Sequence, residues 1–321
     1  MNKIAYLLLI VGFALLIKGA DFFVEGASKI AQALHVSPLL IGLTIVAFGT
    51  SSPEATVSIV AALEENAGVA IGNVVGSNIF NITFVVGLTA ILNPLKVANE
   101  TIRKEIPFTL LASTALLILI SDIHLQSLSA NFITRSDGLI FLLFFAVFLY
   151  YIFEVARHSR DQLMKESVTA EKPSWGKNIL FTIGGLAAII FGGDLTVNNA
   201  IDIAYSFGMS ETLVGLTIVA IGTSLPELIT SITAAIKKQS EIALGNIVGS
   251  NIFNILFVLG AASVISPLAV DPKIFIDVVL MMILTIVLLI FSRTNSRIGK
   301  FEGIFLAVSY IVYMTYIIMR N

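Results

Sequence analysis

The stretch GLTIVAFGTSSPE, from Gly42 to Glu54, returns 173 positions later as GLTIVAIGTSLPE, from Gly215 to Glu227. Of the 13 residues, 11 are identical, and each copy places one glutamate inside an apolar run. An ionised carboxylate is costly at membrane depth, so an intramembrane glutamate indicates a functional site. Two glutamates at matching positions of a repeat predict a cation site at the interface between the two halves of a transporter.

The composition excludes an ordinary soluble domain. Of the 321 residues, 57% are hydrophobic and 12% are charged, whereas typical globular proteins have about 25% charged residues. Apolar runs of about 20 residues, the length needed to cross a bilayer, recur along the chain. The chain has no cysteine, which excludes disulfides and thiolate metal sites. The sequence therefore predicts an all-α polytopic membrane protein that has the lipid bilayer as its partner.

The repeat extends well beyond the glutamate motif. Its offset of 173 holds without a gap from Asp21/Asp194 through Pro94/Pro267, and such duplication is typical of secondary transporters. We expect five spans per half, at 3–34, 38–63, 68–94, 101–121 and 136–156, and at 176–207, 211–237, 241–266, 273–293 and 301–319. Because five is odd, the second copy must enter the membrane upside down. The prediction is ten transmembrane helices in two inverted five-helix repeats, 1–156 and 176–321, joined by a polar linker at 157–175.

The distribution of lysine and arginine predicts the orientation. The face that carries the linker has 14 of these residues near the predicted span ends, and the face that carries the termini has 4. By the positive-inside rule, the linker is cytoplasmic and both termini lie outside. The first 19 residues could pass for a secretory signal. Their continuation aligns with 179–194 in the second half, which favours a retained first helix.

The first motif, GTSSPE at Gly49–Glu54 and GTSLPE at Gly222–Glu227, predicts that helices 2 and 7 are broken. Proline removes a backbone donor and clashes with the carbonyl four residues earlier. A structural kink for packing would explain the prolines, but it would not require the glutamates. Hydroxyl and carboxylate oxygens in each copy suit a hard cation such as calcium, which takes 6–8 oxygen ligands. The candidate ligands are Thr50, Ser51 and Glu54, with Thr223, Ser224 and Glu227.

The second motif is AIGNVVGSNIFN, at Ala70–Asn81, and ALGNIVGSNIFN, at Ala243–Asn254, with 10 of 12 residues identical. Its glycines predict a packing seam between helices. Its polar residues recur at intervals of four and so share one helix face. We expect Ser77, Ser250, Asn81 and Asn254 to line the site, Asn73 and Asn246 to support it, and Asn78 and Asn251 to be structural.

These paired blocks, G-T-S-x-P-E and G-N-x-x-G-S-N-I, resemble the repeats of the calcium/cation antiporter superfamily, and those of prokaryotic sodium/calcium exchangers most closely. The resemblance covers the whole chain. It implies a core of helices 2, 3, 7 and 8, across which helices 1 and 6 slide to alternate access. It also implies a central calcium site made by Glu54 and Glu227 with the carbonyls of Thr50 and Thr223.

The resemblance further implies two flanking sodium sites. The outer one would use Ser77, the Ala220 carbonyl, Thr223, Ser224 and Glu227, and the inner one Ser250, the Ala47 carbonyl, Thr50, Ser51 and Glu54. Relatives often carry an aspartate at one of the positions held here by Asn81 and Asn254. Both are amides in this chain, so the site has two carboxylates, and a middle sodium site does not carry over.

The predicted function is export of calcium in exchange for sodium by alternating access, with a 3:1 stoichiometry implied by the resemblance. Proton/calcium antiport, with Glu54 and Glu227 protonated instead, remains an alternative, although the serine and threonine oxygens favour sodium. Potassium-dependent exchange and a calcium-permeable channel also stay open, but broken helices in an inverted repeat favour alternating access. We expect no enzymatic activity, no cofactor and no nucleic-acid partner. The expected form is a monomer in the inner (plasma) membrane.

Overall fold

The computed structural model of the protein describes residues 3–127, 129–166, 174–207, 220–294 and 296–320. Most of them are helical. The helices, in chain order, are α1 (Lys3–Leu34), α2 (Pro38–Thr50), α3 (Ser52–Leu63), α4 (Ala67–Leu92), α5 (Ile106–Leu119), α6 (Asp122–Gln126), α7 (Arg135–Glu166), α8 (Trp175–Ser206), α9 (Ala220–Gly222), α10 (Leu225–Ile236), α11 (Ser240–Ile265), α12 (Ile274–Arg293) and α13 (Lys300–Arg320). The strands have two residues each and are β1 (Leu95–Lys96), β2 (Phe132–Ile133), β3 (Leu268–Ala269) and β4 (Arg297–Ile298).

The length and apolarity of the helices make this an all-α membrane protein. Among the described residues, 7 helices can cross a bilayer, namely α1, α4, α7, α8, α11, α12 and α13, and the bent pair α2–α3 brings the number to 8. The most apolar windows of α4 and α11 are 78% and 83% buried, but those of α7 and α13 are only 22% and 17% buried. The two helices that carry the second motif therefore lie at the centre, and α7 and α13 lie at the lipid-facing surface.

In each half, the chain bends at the first motif, three residues before its glutamate. Between α2 and α3 the axis turns by 48°, at Ser51, whose φ and ψ of −84° and 9° leave the helical region. Ser224 has nearly the same angles, −93° and 9°, between α9 and α10. Pro53 and Pro226 each stand in the first turn after the bend, where a missing N–H costs nothing because it would be unpaired anyway. Of the predicted seventh span, 211–219 lies outside the described residues.

Four wider π turns lie among the described residues, at Thr101–Glu105 directly before α5, at Gly42–Val46 in α2, at Asn81–Val85 in α4 and at Asn254–Leu259 in α11. The last two begin at equivalent asparagines of the second motif. The hydroxyl of Thr44 donates to the Leu40 carbonyl at 2.7 Å, and such back-bonding perturbs the local helix. Since π turns often mark functional sites, their position supports the second motif as part of one.

The long helices α1 and α8 pack antiparallel through a seam of small residues. A methyl group built on Gly19 would lie 2.8 Å from the Gly185 carbonyl, and one on Gly12 would lie 3.0 Å from that of Gly192. Glycine thus lets the two backbones approach closely, as small residues do in other membrane helix pairs. Gly12, Gly19 and Gly26 are seven apart in the sequence and lie on one face of α1, a spacing that could have predicted the seam.

Two short strand pairs tie the halves together. Strand β1 pairs antiparallel with β4, with Leu95 opposite Ile298, and β2 pairs antiparallel with β3, with Ile133 opposite Leu268. In each pair, one strand follows the second motif of its half and the other precedes the last helix of the opposite half. The sequence analysis did not predict these strands.

The helix before the predicted linker is longer than expected. Helix α7 continues to Glu166, so residues 157–166 of the predicted 157–175 linker are helical. Residues 167–173 lie outside the described part of the chain, and α8 begins at Trp175.

Candidate ion-binding site

The two repeated glutamates are fully buried in the first turns of α3 and α10. Glu54 and Glu227 are both 0% exposed, and each follows the bend by three residues. A helix N-terminus carries a partial positive charge from its unpaired N–H groups, which favours a carboxylate there. The bend therefore creates a local environment for an acidic side chain inside the membrane.

Each glutamate is held by a serine from the other half of the chain. The Ser224 hydroxyl donates to Glu54 Oε1 at 2.9 Å, and the Ser51 hydroxyl donates to Glu227 Oε1 at 2.7 Å. The two contacts are equivalent under the 173-residue repeat. They bring four of the predicted ligands together across the interface between the halves.

The serines of the second motif complete the immediate surroundings. Ser77 Oγ lies 3.1 Å from Ser224 Oγ. Ser250 Oγ lies 3.5 Å from Glu227 Oε1 and 3.5 Å from the Ala47 carbonyl. The structure thus places Ser77 beside Ser224, and Ser250 beside both Glu227 and the Ala47 carbonyl. Ala220 is the first residue of α9, and the preceding residues 215–219 lie outside the described chain.

The threonines of the first motif contact asparagines of the second motif, and these asparagines hydrogen-bond to the backbone of the site. The Thr50 hydroxyl lies 2.9 Å from Asn246 Oδ1, and the Thr223 hydroxyl lies 3.5 Å from Asn73 Oδ1. The amide of Asn73 donates to the Glu54 carbonyl at 3.1 Å, and that of Asn246 donates to the Glu227 carbonyl at 3.4 Å. Both asparagines therefore fix the backbone that carries the glutamates.

The sequence analysis missed one pair of supporting residues. Asn73 also donates to the hydroxyl of Ser58 at 2.9 Å, and Asn246 donates to that of Ser231 at 2.9 Å. Both serines are fully buried and obey the 173-residue offset. Identity across the repeat was the signal that could have found them.

Four asparagines join the two central helices, α4 and α11, within about one helix turn beyond Ser77 and Ser250. Asn81 donates to Asn251 Oδ1 at 3.2 Å, and Asn254 donates to Asn78 Oδ1 at 3.2 Å. Asn78 also donates to the Asn251 backbone carbonyl at 3.2 Å. Asn78 and Asn251 thus connect α4 to α11, which agrees with the structural role expected of them. Asn81 and Asn254 occupy positions four residues beyond the two serines.

Four oxygens of this set have no hydrogen-bond partner among the described residues, although all are buried. They are Oε2 of Glu54, Oε2 of Glu227, Oδ1 of Asn81 and Oδ1 of Asn254. They form two pairs related by the repeat. A buried oxygen without a partner is costly, so a matched set of four indicates groups that satisfy each other through a ligand.

The chemistry of the donor set suits hard cations. Its donors are carboxylates, hydroxyls, amides and backbone carbonyls, which are oxygen ligands of the kind that calcium prefers. Among the described residues there is no group of three or more His, Cys, Asp or Glu side chains placed to hold a metal ion. The site therefore depends on two carboxylates and on neutral oxygens, and it does not resemble a transition-metal centre.

A cavity of about 520 Å³ lies beside the site along α4. Asn73, Ser77 and Thr223 line it, together with Gly72 and Gly76. Residues 212–219, which correspond to 39–46 of α2 under the repeat, lie outside the described residues.

The equivalent glycines of α11 pack closely against α2. A methyl group on Gly245 would lie 2.7 Å from the Leu39 carbonyl, and one on Gly249 would lie 2.7 Å from the Leu43 carbonyl. The predicted packing seam is therefore present at α11.

The sequence of the chain is similar to those of a protein family and of individual known proteins. A family model described as sodium/calcium exchanger protein matches residues 4–154 and 177–319. The chain is 42% identical over 319 residues to the putative antiporter CaxA of Alkalimonas amylolytica, with 97% of both chains covered. It is 32% identical over 346 residues to the sodium/calcium exchanger MaX1 of Methanosarcina acetivorans, with 98% of both covered.

The fold is also similar to that of a solved structure. The sodium-calcium exchanger NCX_Mj, soaked with zero sodium and calcium, aligns with a TM-score of 0.83 and 30% sequence identity. The alignment covers 99% of this chain and 100% of that one.

Proposed function

Because the chain belongs to the sodium/calcium exchanger family, we propose that it exports calcium in exchange for sodium by alternating access. The family is one of membrane antiporters rather than enzymes, and its transported ions are calcium and sodium. We also propose which residues bind the ions, how many ions exchange and how the chain lies in the membrane.

The proposal rests above all on the four buried oxygens without partners. Glu54 and Glu227 each use one carboxylate oxygen to accept a serine hydroxyl from the other half. Their second oxygens are unpaired and are free to bind a cation. A dication neutralises two carboxylates, which removes most of the cost of burying their charges. We assign the central calcium site to these two glutamates with the carbonyls of Thr50 and Thr223.

The neutral oxygens around the glutamates are assigned to sodium. The outer site would use Ser77, Thr223, Ser224, Glu227 and the Ala220 carbonyl, and the inner one Ser250, Thr50, Ser51, Glu54 and the Ala47 carbonyl. Asn81 and Asn254 line the middle of the site and add no charge. Contacts such as that of Ser250 with Glu227 and Ala47 support this grouping.

We propose a stoichiometry of three sodium ions to one calcium ion, which the family resemblance implies and which the charges of the site permit. Two carboxylates balance one calcium ion, and three sodium ions leave the site with one positive charge. One net charge then moves per cycle, which is worth about 2.3 kcal/mol per 100 mV. A membrane potential that is negative inside favours calcium export.

We further propose ten transmembrane helices in two inverted repeats, 1–156 and 176–321, with the linker at 157–175 in the cytoplasm. The matching bends at Ser51 and Ser224 and the crossed strand pairs support the repeat. The 14-to-4 distribution of lysine and arginine supports an orientation with both termini outside. The chain would act as a monomer in the inner (plasma) membrane.

Calcium-45 uptake into proteoliposomes tests the proposal. A sodium gradient directed outward from the vesicles should drive uptake, whereas a proton gradient or no gradient should not. Glu54→Gln and Glu227→Gln should each abolish uptake, because one remaining carboxylate cannot balance a dication. Both variants should still fold, since removal of a charge from the membrane interior lowers the cost of insertion.

The exposed Glu64, which directly follows the last residue of α3, provides the matched control. Glu64→Gln changes the charge equally and should leave uptake unchanged. Uptake driven by a pH gradient in sodium-free vesicles, at a rate comparable to the sodium-driven one, would replace sodium with protons in the proposal. Near-normal uptake by either buried-glutamate variant would refute the assignment of the central site.

A further inference from the structure

A second cavity lies beside α7, and none of the assigned ion ligands lines it. Its volume is about 600 Å³, within the range of about 300–1,000 Å³ that is usual for small-molecule sites. Its walls come from the start of α2, the segment before α5, the second half of α7 and the start of α11. We call it the α7 cavity.

The buried carboxylate of Glu105 lines the α7 cavity. Glu105 is 1% exposed and ends the π turn that directly precedes α5. The Tyr151 hydroxyl of α7 donates to its Oε1, whereas its Oε2 is buried and has no hydrogen-bond partner among the described residues. Because a buried oxygen without a partner is costly, Oε2 indicates a donor that the described residues do not supply.

The rest of the lining is mainly acidic. Three further carboxylates line the cavity, those of Glu100, Glu154 and Glu241. Lys104 and His158 are the basic side chains among the described lining residues. None of the four glutamates forms an ion pair with a described residue. A cleft lined mainly by one sign of charge concentrates ions of the opposite sign, so the cavity favours a cation.

The equivalent carboxylate of the second half has a cationic partner within the chain. Asp277 stands 172 positions after Glu105, and the buried residues that follow on α5 and α12 keep this offset. Arg320 of α13 donates to both carboxylate oxygens of Asp277, at 2.9 and 3.0 Å. Such a bidentate contact is the strong form of an arginine–carboxylate pair.

The first half has no arginine at the corresponding place. Gly138 of α7 and Gly303 of α13 align at an offset of 165, which puts Val155 at the position of Arg320. Val155 lines the α7 cavity. Glu105 thus has a cavity beside it, whereas its counterpart Asp277 has a guanidinium group.

The arrangement favours an organic cation over a metal ion. Among the described residues, no three His, Cys, Asp or Glu side chains are placed to hold a metal ion, so the four glutamates are spread around the cavity. A linear polyamine carries its ammonium groups several bonds apart and can contact separate carboxylates. Lys104 Nζ lies 5.6 Å from the centre of the Tyr151 ring, a contact of the kind that aromatic rings make with ammonium groups.

We propose that the α7 cavity binds a small organic polycation, with an ammonium or guanidinium group at Glu105 Oε2 and further positive charges at the other three glutamates. The bound ligand joins α7 to the segment before α5, as Arg320 joins α13 to α12. This site is independent of the proposed calcium transport, because none of the assigned ion ligands lines the cavity. In the proposed orientation it lies on the cytoplasmic side.

Isothermal titration calorimetry of the full chain in detergent, without calcium, tests the proposal with spermidine as the probe. Spermidine should bind saturably and raise the Tm. Glu105→Gln should weaken binding about tenfold, or about 1.4 kcal/mol, because it removes the buried charge. Glu154→Gln removes an exposed charge and should weaken binding roughly threefold. Putrescine should bind more tightly than magnesium, which carries the same charge but needs converging ligands.

The second half suggests a variant that imitates the ligand. Val155→Arg introduces the equivalent of Arg320 beside Glu105, so it should abolish spermidine binding and raise the Tm of the ligand-free protein. Val155→Met adds length without charge, and it should still bind spermidine and should not raise the Tm. If Glu105→Gln fails to fold, Val155→Arg and Val155→Met still decide.

Two control variants locate the binding. Glu64 lines a different acidic cavity with Glu65 and Asp271, all three of which are exposed, so Glu64→Gln should bind spermidine as the wild type does. Glu54→Gln, which alters the assigned calcium site, should also retain spermidine binding.

The outcomes are distinct. Absence of saturable binding, equal weakening by Glu64→Gln and Glu105→Gln, or tighter binding of magnesium than of putrescine would overturn the proposed polycation site. Loss of spermidine binding in Glu54→Gln would place the polycation in the ion site and overturn it as well. A chain that binds spermidine as expected but moves no calcium would retain this site and refute only the proposed function.

Discussion

The ion site depends on contacts that cross between the halves. Ser51 holds the glutamate of the second half, and Ser224 holds that of the first. The motif itself predicted which residue types could be ligands, because a carboxylate inside the membrane indicates a functional site. It could not predict the crossing, because contacts between residues 170 and 176 positions apart depend on how the helices pack.

At this scale, the hydroxyls of Ser77 and Ser250 provide the sharpest prediction for sodium. Neither contributes a charge, and a single hydroxyl contact is worth about 0.5–1.5 kcal/mol. Ser77→Ala and Ser250→Ala should therefore raise the sodium concentration for half-maximal exchange several-fold. Calcium binding, which depends on the carboxylates, should change less.

The measurement is the sodium dependence of calcium efflux from proteoliposomes. Ser309→Ala is the control, because Ser309 is exposed and its hydroxyl donates only to the Phe305 carbonyl of its own helix. A larger effect on calcium half-saturation than on sodium would count against the assignment of these serines to sodium.

Among the structural elements, the apolar spans could be predicted well and the contacts between them could not. The expected first span at 3–34 coincides with α1, and that at 176–207 nearly coincides with α8, because apolar length is fixed by the bilayer. The strands were missed because two residues are too few to show a periodic pattern. Their partners, such as Leu95 and Ile298, lie about two hundred positions apart.

The glycines of the second motif illustrate the same limit. Both copies read G-N-x-x-G-S-N, so the sequence predicts the same seam twice. The structure packs Gly249 against Leu43 and Ala47 of α2. The glycines alone could not predict which helix they pack against, because that depends on tertiary packing.

This packing predicts an effect on stability. Gly249→Ala would place a methyl group 2.7 Å from the Leu43 carbonyl, and such overpacking costs about 1–3 kcal/mol. Gly184→Ala is the control, because Gly184 is exposed on α8 with no described atom within 4 Å of an added methyl group, and it gains helix propensity, up to about 1 kcal/mol. Thermal unfolding in detergent should give a lower Tm for the first variant and an unchanged or higher Tm for the second. Equal Tm values would contradict the close packing of Gly249.

The molecule as a whole contains an internal repeat whose two copies meet at the buried glutamates. The surface of α11 at Gly245 and Gly249 is covered by α2. In an alternating-access transporter, the two conformations exchange the environments of the two repeats. Contacts that hold only one of the two conformations are then the ones that set the balance between them.

The ion pair between Lys237 and Asp21 is a contact that can hold only one of the two conformations. Lys237 Nζ lies 2.6 Å from Asp21 Oδ1 and donates to the Asp21 carbonyl at 2.7 Å, so it ties α1 to the end of α10. Under the 173-residue repeat, Asp21 corresponds to Asp194 and Lys237 corresponds to Glu64. The opposite conformation would bring two carboxylates together at the equivalent place, and no ion pair could form there.

We therefore expect Lys237→Gln to shift the protein away from the conformation described here. The pair is partly exposed, so its contribution is at most about 1 kcal/mol, or roughly a fivefold change in the ratio of conformations. The chain has no cysteine, and Gly72→Cys, at a position that lines the same cavity as Ser77, provides a single reporter. A membrane-impermeant thiol reagent should label it more slowly in the Lys237→Gln background. Lys238→Gln, which removes the same charge from the neighbouring exposed residue, should leave the labelling rate unchanged, and equal slowing by both variants would mean that Asp21 is not the partner that matters.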